Sequence, residues 1–414
     1  MDFRRDKLVN RSVALLFIYA LWGFLFSHSV ISNPVFVYAS FLGLGLLFCL
    51  IFAKYPQQFN RVAIWIPYMF LTIIGYLLVG KIEIAIYWFV AIIILSTSQS
   101  IDYSKYLPMK ILKISGIICV IGTLLQVFLP QLYFFIASHV FSYDAMVLIM
   151  RWNYGGMGYS GFTYQLAMTA IILLYAECVW LYMYSSNLKR KLQKNLHWII
   201  IGLIVVCIFL TGKRMLSMIS ILAPTLVGYL TSIKRSKTTL IAFFAIIVGI
   251  IGYTYIESNA SQLSDSALFG RFARSIEAKR GGEDITSGRE DLFKKAITLF
   301  ESSPIVGVGC GKFIEKSGED SDVHNSFLQI LCEQGLVGFV LFLIPLIVTL
   351  FKTISFSQKI AYTKDVLYSK MSLFLQIAFI IYAFTGNVTV NLFGFIVYFY
   401  AVAMFVSLRK KYSL

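Results

Sequence analysis

Apolar residues run through this chain in blocks long enough to cross a hydrocarbon layer, with short polar or basic segments between them. A bilayer-crossing helix needs roughly 20 mostly apolar residues, and windows of that kind recur about twelve times. They fall near 12–31, 34–53, 62–80, 82–97, 111–128, 161–184, 197–212, 214–231, 238–256, 326–351, 366–386 and 388–407. One interval breaks the rhythm. From Glu257 to Asn325 the chain is polar, and no other stretch is long and polar enough to fold outside a bilayer. The pattern predicts an all-α polytopic membrane protein with nine helices in 1–256, an extracytoplasmic loop containing short helices in 257–325, and three helices with a tail in 326–414. Neither an internal repeat nor a low-complexity linker divides it, so it reads as one integrated domain.

Basic residues orient this array, because Lys and Arg favour the cytoplasmic side of short loops. With the N-terminus inside, Arg4, Arg5, Lys7 and Arg11 share the cytoplasm with the basic residues of alternate short loops, such as Lys189, Arg190, Lys191 and Lys194, and with Arg409, Lys410 and Lys411. The short loops on the other side hold only Lys81, Arg151, Lys213 and Arg214. Both termini are then cytoplasmic and the 257–325 interval lies outside. The N-terminal MDFRRDKLVNR precedes an apolar run without a small-residue cleavage site, which predicts a retained first helix. A second outer stretch, Leu129 to Ser160, mixes apolar residues with Trp152 and Tyr154 and predicts interfacial helices. Arg151 within it has two readings, an interfacial anchor or a contact to sugar or phosphate.

Composition agrees: 58% hydrophobic and 14% charged residues, with mean hydropathy +0.78, exclude a soluble domain. The net charge of +16 is distributed over the loops, so it signals topology rather than a nucleic-acid-binding face. Of six cysteines, Cys49, Cys119, Cys178 and Cys207 lie in apolar runs and none forms a CxxC pair, so they read as small hydrophobes rather than a disulfide framework.

The candidate chemistry gathers on the outer side. In TGKRMLSM, Thr211 to Met218, Lys213 and Arg214 occupy a short turn where topology disfavours positive charge. Either they snorkel to the interface, or Arg214 holds an anion with its planar, permanently charged fork. A helix is predicted from about Gly288 to Ser302, capped by Ser287 with Glu290 and striped by Leu292, Phe293, Ala296, Ile297, Leu299 and Phe300. Arg289 then faces the positive end of that helix, unfavourable unless an anion binds there or a carboxylate such as Glu283, Asp284 or Asp291 partners it. The run GVGCGK, Gly307 to Lys312, fails the phosphate-loop template. Three residues rather than four separate its glycines and Phe313 follows the lysine, so it predicts a turn with close backbone approach. Asp322 or Asn325 caps the next helix, which places His324 in its first turn, as a general base or as an interfacial residue. His28, His139 and His197 lack comparable neighbours, and no pair has metal-ligand spacing, so neither a metal nor another cofactor is expected.

Taken in order, TGKRM, then SGREDLFKKAITLFESSPIVGVGCGKF, then VHNSFLQILCEQGLVGF resemble the bacterial O-antigen ligase and O-antigen polymerase superfamily over roughly 197–351. The resemblance lies in an arginine opening an amphipathic helix, a Pro and Gly-Val-Gly turn, and His-Asn leading into a helix broken by Gln-Gly-Leu-Val-Gly. It implies an inner-membrane glycosyltransferase that moves a glycan from undecaprenyl diphosphate to an acceptor hydroxyl, without nucleotide sugar or required metal. Arg214 and Arg289 would bind the diphosphate and His324 would sit at the acceptor, with Lys213, Asn325 and Arg151 as further binding candidates. The lipid-linked oligosaccharide, the glycan acceptor and the bilayer are the implied partners, with a flippase and a chain-length regulator as further ones. Thr-Gly-Lys-Arg-Met favours a polymerase of O-antigen, capsule or exopolysaccharide over a ligase to lipid A core. A carrier of lipid-linked glycans is the rival from another class. It would place ionisable residues near the midplane, where Glu177 is the best candidate.

Overall fold

The computed structural model describes Arg11, 14–19, 21–22, Gly43, 58–104, 107–183, 191–232, Gly249, 251–282, 289–390 and 392–413. Among these residues every regular element is helical. The main helices are α1 (Ile66–Leu78), α2 (Ile82–Thr97), α3 (Leu107–Phe128), α4 (Pro130–Val140), α5 (Tyr143–Tyr154), α6 (Leu166–Met183), α7 (Lys191–Leu210), α8 (Arg214–Thr231), α9 (Ala260–Leu263), α10 (Gly270–Arg280), α11 (Arg289–Ser302), α12 (Phe313–Ser317), α13 (Ser326–Lys359), α14 (Val366–Ala383) and α15 (Leu392–Lys411). Four of them, α3, α8, α13 and α14, are long and apolar enough to cross a membrane, and α1, α2, α6 and α7 contain shorter apolar helices. The windows at 82–97 and 214–231 coincide with α2 and α8. The window at 34–53 apart from Gly43, and most of those at 12–31 and 238–256, lie outside the described residues.

Two boundaries differ for local reasons. The window at 161–184 begins with a 3-10 turn, Gly161–Thr163, and Tyr164 at φ 55°, so α6 starts only at Leu166. The window at 388–407 loses its start to the turn after α14, and the helix begins at Leu392. Leu129 to Ser160 holds two short helices, α4 and α5, with Phe135, Tyr143 and Tyr154 exposed along them.

The chain divides into two compact units. The first combines 38–105 with 286–414 and packs an aromatic core from α1, α2, α13 and α15. Trp65, which ends a 3-10 turn before α1, meets Phe342, Tyr398 and Phe399 edge-on, and its Nε1 donates to Thr349 Oγ1 at 3.2 Å. Trp88 packs edge-on against Tyr68 and Phe395. The second unit, essentially 106–285, packs α3 against α6 and α7. The α3–α6 crossing is close because Gly116 faces Ala176, a small-residue contact that needs no apolar drive in a lipid setting.

Candidate functional site

In the first unit, α13 does not run straight. Gly335 has φ 64° and ψ −165°, a backbone region open essentially to glycine alone, and it breaks the helix after Gln334. A helix broken in an apolar setting must find new partners for its freed amides and carbonyls. The Pro-Ile-Val-Gly-Val-Gly segment supplies them. Leu336 and Val337 donate from their amides to the carbonyls of Pro304 (2.8 Å) and Ile305 (3.1 Å), while Val308 and Gly309 donate to those of Cys332 and Glu333, both at 2.9 Å. Gly307 passes so close to Glu333 and Gln334 that a Cβ there would strike their backbone. The close approach expected of this glycine run is what the structure contains, and its partner is the Gln-Gly-Leu-Val-Gly break.

Glu333 completes the joint. It is buried, and its carboxylate accepts from the amides of Gly311 (2.7 Å) and Phe313 (3.2 Å) and from Gln329 Nε2 (3.3 Å). Sequence reading did not single it out; an acid beside a glycine break in an apolar helix was the available signal. Across the loop, Lys81 Nζ donates to Gly311 O at 2.6 Å, and Cys310 packs against Gly75 of α1. Burial, with the Glu333 carboxylate adding to it, pushes the Cys310 thiol up to about 12.

Arg289 is the first residue of α11, as expected, and its Nη1 donates to Thr385 O at 3.2 Å. Its hydroxyl neighbour Tyr382 lies within electrostatic range. The capping Ser287, with Glu283 and Asp284, lies outside the described residues. Glu290 and Asp291 both face Lys294, at 2.9 and 3.7 Å. The stripe of α11 is narrower than expected. Leu292 and Ala296 are buried with Phe313, Val323 and Cys332, and Phe293, Leu299 and Phe300 pack at the edge, but Ile297 is exposed. This small core fastens α11 to Val323, the residue before His324.

His324 requires a correction. It is not in the first turn of α13 but precedes the cap, at φ 56°. Asn325 is the cap, its Oδ1 accepting from the amides of Phe327 (3.1 Å) and Leu328 (3.2 Å). Asp322 instead accepts from Gln329 Nε2 at 3.1 Å. The turn after α14 ties this cap to Arg289. Ser326 Oγ accepts from the Val388 amide (2.9 Å) and donates to the carbonyl of Gly386 (2.7 Å), the residue after Thr385, whose carbonyl Arg289 engages. Thr385 to Val388 is a positioning segment that sequence reading missed, since it was absorbed into the ends of two apolar windows.

Lys213, Arg214 and Arg151 belong to the second unit. Lys213 is the N-cap residue of α8 and Arg214 its first helical residue, so this arginine, like Arg289, opens a helix. The turn before them interlocks with Gly156 to Tyr159: Gly158 approaches the Thr211 carbonyl, Gly212 approaches that of Met157, and Tyr159 N donates to Leu210 O at 3.0 Å. Arg271 and Arg274 of α10 brace the same turn, donating to the carbonyls of Met157 and Gly156. Neither was singled out from sequence, because RFARSIEAKR reads as an ordinary polar helix. Arg151 is exposed in the last turn of α5, where a cation suits the negative helix end.

Residues 199–343 match the family model described as O-antigen ligase, a segment that contains Lys213, Arg214, Arg289, His324 and Asn325. The matched segment is about a third of the chain. This match supports the O-antigen ligase and polymerase superfamily, and the long apolar helices fit a multi-pass membrane protein. Arg151 lies outside the matched segment, and both halves of the break, Pro304–Gly309 and Cys332–Val337, lie inside it. No curated protein matches the chain.

Proposed function

We propose that the protein is an extracytoplasmic-facing glycosyltransferase of the bacterial inner membrane that transfers a glycan from undecaprenyl diphosphate to an acceptor sugar hydroxyl, joining repeat units of O-antigen, capsule or exopolysaccharide. The observation that carries this is the pair of helix-opening arginines in the O-antigen ligase domain. Arg214 and Arg289 each add a guanidinium to a helix N-terminus, a combination suited to phosphate oxygens. In the reaction the acceptor oxygen attacks the anomeric carbon, and the bond from that carbon to the diphosphate oxygen breaks with its electron pair going to the diphosphate. Charge grows on the leaving group, so cations already in place stabilise the transition state more than the ground state. His324, held before the α13 cap, takes the acceptor proton or orients the hydroxyl. Lys213 and Asn325 support the two ends of this machinery, and Arg151 serves as an interfacial anchor.

Transfer to lipid A core uses the same chemistry and differs only in the acceptor. A carrier of lipid-linked glycans is the reading that Glu177 favours: it is buried in α6, and its Oε2 meets no hydrogen-bond partner among the described residues. Purified protein in lipid vesicles, given diphosphate-linked repeat units, separates these. Product lengthening is expected; glycan appended to lipid A core indicates the ligase, and lipid movement without a new glycosidic bond refutes the transferase.

A further inference from the structure

A cavity of about 310 Å³ opens in the first unit, lined by Lys81, Glu83, Tyr87, Gly311, Asp322 and Gln329. That volume is at the lower end of small-molecule sites, about the room that one or two sugar rings require. Its walls are polar, and two carboxylates face one ammonium, whose Nζ is already held by Gly311 O at 2.6 Å. A net negative wall disfavours a phosphate or a uronate.

Gln329 indicates what the cavity accepts. Its side chain is 2% exposed, and its Nε2 donates to both Asp322 Oδ1 (3.1 Å) and Glu333 Oε1 (3.3 Å). Two carboxylates on one side fix which end of the amide is nitrogen. Oε1 is therefore an acceptor, and it meets no donor among the described residues. A buried acceptor left unpaired is costly, whereas a site built around one discriminates for ligands that bring an O–H or N–H.

We propose that this cavity is a subsite for a neutral or amino-bearing sugar ring of the acceptor glycan, with Gln329 Oε1 as its central acceptor. The proposal rests on the glycan-transfer reading above. Asp322 and Glu83 take further hydroxyl or amino protons, and Tyr87 offers an aromatic face to the ring's C–H side. The position suits an acceptor. Asp322 and Gln329 flank His324 and the Asn325 cap, and Val390, also in the wall, continues the turn that holds Arg289 through Thr385.

The test uses the full chain in lipid nanodiscs and saturation-transfer NMR with three lipid-free probes: chitotriose, its de-N-acetylated trimer, and trigalacturonate. The first two are expected to bind and the anionic trimer to bind about tenfold more weakly. Gln329→Leu should weaken chitotriose binding about fivefold or more, while binding of farnesyl diphosphate is unchanged. Tyr87→Leu, on another helix, gives the same comparison should the Gln329 variant fail to fold. Trigalacturonate binding as well as chitotriose, no binding of any trimer, or wild-type affinity in both variants would overturn the subsite. Arg289→Ala separates the two claims. If it leaves diphosphate binding intact and neither it nor wild type forms a glycosidic bond, while Gln329→Leu still weakens the sugar, the transfer reading fails and the sugar site stands.

Discussion

His324 occupies a left-handed backbone conformation at φ 56°, which side chains other than glycine and a few polar ones seldom adopt. The strain is held by its neighbours, with Val323 in the small core below and Asn325 capping α13. Substitution with glycine relieves the backbone but removes the imidazole. His324→Gly is therefore expected to melt within about 1 kcal/mol of wild type, or above it. Transfer should fall about 10²-fold or more. Thermal unfolding and a product-length assay check both halves, and wild-type transfer would remove the imidazole from the mechanism. Asn325→Ala should cost about 1 kcal/mol through loss of the cap. At this scale the sequence was informative where a residue's role follows from its local context. The Ser-x-x-Glu pattern and the apolar stripe predict a start at this point, and Arg289 is the first residue of α11. Sequence reading misplaced His324 in the first turn of α13, since Asp322 and Asn325 are equally good caps on paper and the Phe327 and Leu328 amides, which donate to Asn325 Oδ1, decide between them.

The element that shapes the site is the break in α13 and the glycine loop filling it. Both motifs were visible in the chain as Gln-Gly-Leu-Val-Gly and Pro-Ile-Val-Gly-Val-Gly. Their pairing was not, because it depends on backbone hydrogen bonds between segments far apart in sequence. Gly335→Ala would put a Cβ against the Ile305 carbonyl in a conformation alanine resists, and should cost about 2–5 kcal/mol. Glu333→Leu should cost about 2–4 kcal/mol by leaving the Gly311 and Phe313 amides without an acceptor. Cys310 reports on the same joint. With its thiol pushed up to about 12, it remains protonated below that pH and should alkylate very slowly at pH 8. In a chain retaining only this cysteine, either variant should speed alkylation as the loop leaves Gly75. Equal rates in wild type and variants would show that the loop does not depend on the break.

Among the described helices, hydropathy located α2 and α8 to the residue and α1, α3, α14 and α15 to within about four residues, while one end of α6, α7 and α13 lies further from its window. It erred where a turn is itself apolar, as in Phe384 to Val390, whose residues read as span and serve as the clasp between Arg289 and Ser326. Arg289 opens a helix of the first unit, and Arg214 opens a helix of the second. The proposed transfer requires each of these guanidiniums for departure of the diphosphate. The most direct test is single-turnover transfer by purified wild type, Arg214→Ala and Arg289→Ala on undecaprenyl-diphosphate-linked repeat units, with insertion verified for each. Loss of about 10²-fold or more in the chemical step for both single variants is predicted, with no comparable further loss in the double variant, as for groups that act as a unit; transfer at the wild-type rate in either single variant would contradict it.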